Sequence, residues 1–138
     1  MIKNLRIIQK KGSRLTSQRR KILETLTHYP QSVREIKTSL KRKGINTDKT
    51  TIYRNLDFLT GLNIVDRTQF KGKGARYELV DGDNHHHHLV CDNCNEVSDI
   101  SMDEKSLLKN VAQKTKFAVK SHSLEFYGLC VNCQTKDA

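Results

Sequence analysis

Four cysteines stand in two pairs, Cys91-Asp92-Asn93-Cys94 and Cys130-Val131-Asn132-Cys133, with 35 residues between the pairs. A Cys-x-x-Cys knuckle curls so that both sulfurs face one centre, and two knuckles complete the tetrahedral shell of a zinc ion, with Zn–S bonds near ~2.3 Å. Asn95 follows the first pair, where the backbone often turns left-handed, a conformation Asn tolerates. A shell of four protein thiolates has no open position, so the expected zinc is structural and not catalytic. The competing reading is a thioredoxin-like redox pair. That chemistry needs one reactive pair at a helix N-terminus in a βαβ setting, and two pairs without that setting point to metal.

A second set of donors precedes the first knuckle by two residues. His85, His86, His87 and His88 lead into Leu89-Val90-Cys91, which reads as a strand. Alternate residues of a strand share a face, so His86 pairs with His88 and His85 with His87. Either pair places two imidazoles on one ion. An internal tetrad is not a terminal tag, although a histidine run can also be an exposed loop without a role. Glu78, Asp99 and His122 are nearby in the expected order of strands. Mixed imidazole and carboxylate ligation suits Fe(II), Mn(II) or Zn(II), and is harder and more exchangeable than thiolate ligation. Two sites of unlike chemistry imply two tasks, one permanent and one that samples metal.

The elements that must position these residues fall into two halves. Residues 1–80 hold 19 Lys and Arg against 6 Asp and Glu, a net +13, whereas residues 81–138 hold 6 against 9, a net −3. A basic half is an electrostatic footprint for phosphate, with an anionic membrane surface or a solvated face as the alternatives. The chain has 138 residues, 36% of them hydrophobic, and no apolar run long enough to span a bilayer. Met1 to Lys11 carries only two short apolar pairs among its charges, so no signal peptide is expected and the cytoplasm is the expected location. There, four cysteines read as metal ligands or redox thiols and not as a disulfide scaffold.

In the first half, Ile22, Leu23 and Leu26 recur at helical spacing in a segment from Thr16 to His28, with Thr16 or Ser17 as N-cap and Pro30 beyond its end. Val33, Ile36 and Leu40 repeat the pattern up to Gly44. A third helix is expected from Asp48, as cap, to about Thr60, with Gly61 as terminator. At about 100° per residue its stripe of Ile52, Leu56 and Leu59 faces a core. Thr50, Arg54 and Asp57 then point away, with Tyr53 on the flank. An exposed arginine fork and tyrosine ring on the first turns of such a helix suit a reader of the DNA major groove, the alternative being a core tyrosine beside a solvated arginine. Asn63 to Phe70 and Ala75 to Val80 read as a hairpin with a basic tip, Lys71-Gly72-Lys73-Gly74, so the half reads as a winged helix-turn-helix whose wing reaches phosphates. In the second half, strands are expected at Leu89–Cys91, Val97–Ile100, Phe117–Val119 and Leu124–Tyr127, and a helix from Lys105 to Lys116. The fold class expected is α+β, a winged-helix domain over 1–80 followed by a small α/β domain over 81–138.

Five stretches then carry a resemblance. Arg14-Leu15-Thr16-Ser17-Gln18-Arg19, Thr50-Thr51-Ile52-Tyr53-Arg54-Asn55-Leu56, Arg76-Tyr77-Glu78, His85 through Cys94, and His122 through Cys133 run in the order of the ferric uptake regulator family. That family of bacterial metal-dependent repressors has peroxide-sensing and zinc-sensing branches, and the chain resembles it over nearly its whole length. The resemblance implies a DNA-binding domain joined to a dimerisation domain, a homodimer on double-stranded operator DNA, and no enzymatic activity, small-molecule substrate or membrane partner. Carried over by position, Tyr53 and Arg54 correspond to recognition-helix contacts, with Thr50 beside them, Arg14 to a minor-groove contact and Arg19 to a phosphate contact. Glu78, His86, His88 and Asp99 correspond to a regulatory site, and His85, His87 and His122 to an additional one.

The chain departs from the family pattern at two places. A further regulatory ligand is commonly a histidine where Pro30 stands, which leaves His28 as the substitute. The carboxylate of the additional site has no match at its usual place, where Lys105 or Ser106 falls, which leaves Glu104 as the candidate and that site's completeness open.

The function expected is a metal-responsive repressor with divalent metal as co-repressor. A peroxide sensor acting through iron-dependent histidine oxidation is the alternative, since Asp99 matches that branch and Glu78 leans away from it. A zinc hydrolase built on the histidines would have no use for the charge asymmetry, and a zinc-ribbon RNA binder would leave the histidines idle.

Overall fold

The computed structural model describes residues 1–80, 82 and 85–135, apart from the side chain of Ile2. The chain divides into two compact units, Met1–Asp81 and Gly82–Ala138. The first contains helices α1 (Ile2–Lys10), α2 (Ser17–Thr25), α3 (Val33–Arg42) and α4 (Lys49–Gly61), then strands β1 (Val65–Phe70) and β2 (Gly74–Leu79). The second contains β3 (His87–Cys91), β4 (Val97–Ile100), α5 (Lys105–Thr115), β5 (Glu125–Gly128) and the single turn α6 (Val131–Gln134).

Each helix of the central trio starts on a side chain that satisfies an orphan N–H. Thr16 Oγ1 accepts from Arg19 N at 3.2 Å, and Asp48 Oδ1 accepts from Thr51 N at 2.7 Å. At α3, Ser32 Oγ accepts from Glu35 N while Ser32 N donates to Glu35 Oε2 at 2.6 Å, a reciprocal capping box. Gly44 ends α3 in a left-handed conformation (φ 76°), with Ile45 N bonded to Leu40 O. The terminator of α4 differs from expectation. Gly61 is the last helical residue, and Asn63 adopts the left-handed turn (φ 56°). Asn63 N bonds to Thr60 O and Ile64 N to Leu59 O, which lets the apolar Ile64 fold back into the core.

Ile22, Leu23, Val33, Ile36, Leu40, Ile52, Leu56 and Leu59 form one buried cluster with Ile64, Val65 and Tyr77. Ile8 of α1 joins it, fully buried, so the N-terminal segment is a helix packed on the trio. At about 25 cal/mol per Å² of apolar area removed from water, this burial is what holds three short helices together, none of which would be stable alone. β1 and β2 are antiparallel, with Val65 opposite Leu79 and Phe70 opposite Gly74 around the basic tip. The far side of β2 pairs with the link ahead of α3. Gln31 and Tyr77 exchange two bonds of 2.8 Å, and Leu79 N donates to Thr27 O. Three helices and a hairpin so connected make a winged helix-turn-helix, and the whole chain is α+β.

In the second unit β3 is the centre of a three-stranded sheet, antiparallel to β4 and parallel to β5. The expected strand at Phe117–Val119 is absent. Lys116 turns left-handed (φ 52°) to end α5, and the exposed residues after it find no strand to pair with. α5 buries none of its residues, leaving Leu107 and Val111 exposed.

Candidate functional site

The knuckle of Cys91 to Cys94 closes on itself through Asn95, which is left-handed (φ 63°) and bonds its N–H to Cys91 O, while Cys91 N bonds to Glu96 O. Cys91 ends β3, and Cys130 is the residue from which α6 starts, with Cys133 inside that turn. The parallel pairing of Cys91 with Gly128 brings the two knuckles together. All four sulfurs lie within 4.8 Å of one another and no disulfide joins them.

The sulfurs differ in proton affinity. The N–H of Cys130, 3.4 Å from Cys91 Sγ, and that of Cys94 stabilise a thiolate at Cys91 and lower it to about 6. At Cys130 the N–H of Cys133 favours the thiolate, but burial and the neighbouring sulfurs outweigh it and push the thiol up to about 12. At Cys94 the N–H of Glu96 is outweighed in the same way by the Cys91 sulfur and burial, and the thiol is raised. Without a cation the first thiolate discourages the others. A divalent ion at the centre removes that conflict, and an all-sulfur tetrahedral donor set is the chemistry zinc prefers. The residues fit it.

The alternation of β3 sends its histidines to two faces. His88 stands opposite Asp99 in the β3–β4 register, and His86 lies two residues earlier on the same face. His86 Nε2 and His88 Nε2 are 3.9 and 3.8 Å from Asp99 Oδ1, with the two rings nearly perpendicular at 85°. Those separations exceed a hydrogen bond, yet two ligand atoms each about 2.1 Å from one ion stand roughly 3.0 to 4.2 Å apart. On the other face His87 is buried. Its Nδ1 accepts from Leu124 N at 3.2 Å, and its Nε2 contacts the Glu104 carboxylate. His122 Nε2 contacts the other oxygen of Glu104 and lies 3.2 Å from His85 Nε2, so His85, His87, Glu104 and His122 converge. Burial alone would raise Glu104, but hydrogen bonds from His87 and His122 outweigh it and hold the carboxyl below its ordinary value. Glu78 is on β2 of the first unit and is buried. His28 is exposed, with Nδ1 3.2 Å from Leu79 O, and is not among the converging groups.

On the first unit Thr50, Tyr53 and Arg54 are exposed on the opening turns of α4, so Tyr53 is not a core residue. Arg14 is exposed in the link ahead of α2, and Lys71 at the hairpin tip. Arg19 is different: its guanidinium is held inside the unit, donating to Asn55 Oδ1 and Arg14 O and stacked over Phe58. Sequence reasoning overlooked Asn55. A polar residue within the stripe of Ile52, Leu56 and Leu59 must bury its amide, which signals a required partner.

Comparison with known proteins agrees with this geometry. The model of the ferric uptake regulator family matches residues 10–127. The ferric uptake regulation protein of Neisseria meningitidis serogroup B is 33% identical over 137 residues, covering 96% of this chain and 94% of that protein. A peroxide-responsive repressor of Staphylococcus saprophyticus is 30% identical over 132 residues, 94% of this chain and 88% of that protein. The crystal structure of the Vibrio cholerae ferric uptake regulator superposes with a TM-score of 0.80 at 34% identity, over 92% of this chain and 99% of that one. The Helicobacter pylori regulator, described as having three functional metal binding sites, superposes equally well at 28% identity, over 96% and 91%. With such matches spanning both units, the chain belongs to the ferric uptake regulator family, whose members are DNA-binding, metal-responsive transcription regulators and not enzymes.

Proposed function

We propose that this protein is a cytoplasmic repressor of metal-homeostasis genes that binds operator DNA as a homodimer, with a divalent metal as co-repressor. The observation that carries the reading is the division of labour: exposed Tyr53 and Arg54 on a strongly basic winged helix, joined to a unit in which donor sets of two chemistries converge. Cys91, Cys94, Cys130 and Cys133 hold a structural zinc ion. His86, His88 and Asp99 form the regulatory site for Fe(II), Mn(II) or Zn(II), and the resemblance adds Glu78 from the first unit as a further ligand, with His28 as a reserve. His85, His87, Glu104 and His122 form the additional site.

Ligands drawn from two units favour the arrangement in which all of them reach one ion, so occupancy of the regulatory site shifts the population towards that arrangement. In a dimer this spaces two α4 helices for major-groove faces about 34–36 Å apart or a multiple of it. There Tyr53 and Arg54, flanked by Thr50, contact base edges, while Arg14 enters the minor groove and the hairpin lysines meet phosphates. The exposed apolar residues of α5, Leu107 and Val111, together with Leu89 and Phe126 of the sheet, support a second copy as their cover.

The test is a gel-shift series with Fe(II), Mn(II) and Zn(II) after metal analysis of the purified protein. Metal should stimulate operator binding, and His86→Ala with His88→Ala should abolish the stimulation. Unchanged stimulation in that double variant refutes the assignment.

A peroxide-sensing role is the second reading, favoured by Asp99 between the two imidazoles. It requires oxidation of a ligand histidine in the iron form after mild peroxide, and mass spectrometry showing none removes it.

A further inference from the structure

Arg19 makes three contacts that a residue reserved for phosphate would not need. It sits in the first turn of α2, where Thr16 caps its backbone N–H. Its Nε donates to Asn55 Oδ1 at 3.2 Å, its Nη1 donates to Arg14 O at 2.6 Å, and its carbon Cζ lies 3.7 Å from the centre of the Phe58 ring. Asn55 is buried in α4, directly after Arg54, and its Nδ2 donates to Thr51 O at 2.8 Å. The guanidinium therefore ties the backbone at Arg14 to the part of α4 that carries Thr50, Tyr53 and Arg54. One face of its plane is covered by Phe58. Both acceptors lie in divergent directions that a planar fork reaches and a single ammonium does not.

We infer that Arg19 is a positioning residue: with Asn55 and Phe58 it fixes the base-reading turns of α4 relative to the Arg14 segment, so that two separate reading elements act in one register. The inference rests on the DNA-binding reading above and assigns to Arg19 a role other than the phosphate contact implied by position. A phosphate contact and a positioning clamp leave different signatures. Loss of a phosphate contact weakens binding to all sequences alike and lowers the salt slope by about 0.9 per contact. Loss of a clamp degrades discrimination between sequences and leaves the slope in place, because no counterion is released at the clamp.

The experiment compares the full-length wild type with Arg19→Lys, Asn55→Ala and the double variant, all in Mn(II). The probes are the duplex that wild type enriches from a random-sequence pool and an unselected duplex of equal length, each titrated at several salt concentrations. Stoichiometric titration of active protein corrects for any misfolded fraction. Arg19→Lys should lower the ratio of the two affinities at least about tenfold while the salt slope is unchanged, since one good base contact is worth about that factor. A uniform loss on both duplexes, or an unchanged ratio, overturns the inference. Melting of the four proteins supplies a readout independent of DNA. The double variant should melt no more than slightly below the worse single variant, and additive losses show that Arg19 and Asn55 do not act together. Should wild type enrich no duplex with Mn(II), Fe(II) or Zn(II), the regulator reading fails, while the melting comparison still judges the clamp.

Discussion

Zinc affinity at the four-cysteine centre should rise at least about 100-fold per pH unit around neutrality. A cysteine binds the ion as thiolate, so every thiol that holds a proton at the working pH must lose it. Cys130, pushed up to about 12, and Cys94, raised above its ordinary value, are protonated at pH 7. Cys91, lowered to about 6, is already some nine-tenths thiolate there. At least two protons therefore leave as one ion binds. The metal-free form holds those protons and the loaded form does not, so raising the pH favours binding by about tenfold per proton per unit. Below the Cys91 value a further proton is displaced and the dependence steepens.

A chromophoric chelator of known pH behaviour, competed against reduced protein from about pH 6.5 to about 8.5, measures the slope over the window in which Cys91 is ionised and Cys130 is not. Calorimetry in buffers of different ionisation enthalpy counts the protons directly. A slope clearly below two, or release of fewer than two protons, refutes the reasoning, because it means that the crowded sulfurs ionise without a cation to reconcile them.

Four other outcomes are expected. Ser32→Ala removes the side-chain half of the α3 capping box, the Oγ that accepts from Glu35 N, while the backbone N–H of residue 32 still reaches Glu35, and should cost about 1 kcal/mol, lowering the melting temperature by about 4–8 °C for a unit of this size. Asp48 is held below its ordinary value by the Thr51 N–H, so its contribution is present at neutral pH and lost as pH falls through the lowered folded value. Asp48→Asn keeps the cap and removes that titration, and melting curves across acid pH should flatten in this window. Lys71→Ala with Lys73→Ala should reduce the slope of log affinity against log salt by about 1.8 per chain if both hairpin lysines meet phosphates. Glu104→Gln should lower the number of ions bound per chain by one, counted by atomic emission after equilibrium dialysis in Mn(II), while the zinc content stays unchanged.

What could be read from the sequence was set by how local each signal is. Cysteine spacing, the stripe Ile52-Leu56-Leu59 and the two-residue period of the histidines are local patterns with few geometric solutions, and all three lead to the arrangements observed. α1 was not legible because its apolar residues are diluted by Lys3, Arg6, Lys10 and Lys11, and only the depth of Ile8 in the core identifies the buried face. Phe117–Val119 has strand-like composition, but a strand needs a partner, and after the left-handed turn at Lys116 these exposed residues pair with neither outer strand of the β4-β3-β5 sheet. Glu104 could be named only as a substitute for a missing carboxylate. Its approach to His87 and His122 depends on where α5 begins relative to the sheet, which is a tertiary fact.

The central strand explains how one short segment serves three donor sets. β3 contributes His87 to one, His88 to another and Cys91 to the third, and it is hydrogen-bonded to β4 and β5 on its two edges. A strand held on both sides is the stiffest element the unit has, and donors fixed on it keep their separations better than donors on loops. Its neighbours complete each set by register: β4 places Asp99 opposite His88, and β5 places Gly128 beside Cys91, which delivers the second knuckle. Because the faces alternate, a slip of one residue in β3 would exchange His87 with His88 and empty every set at once. The cysteine centre would work against such a slip, since Cys91 is the last residue of the same strand and a metal bound there would pin the register for both histidine faces. The five residues from His87 to Cys91 thus carry donors for all three sets, so a change that shifts the backbone of β3 at one set shifts it at the others.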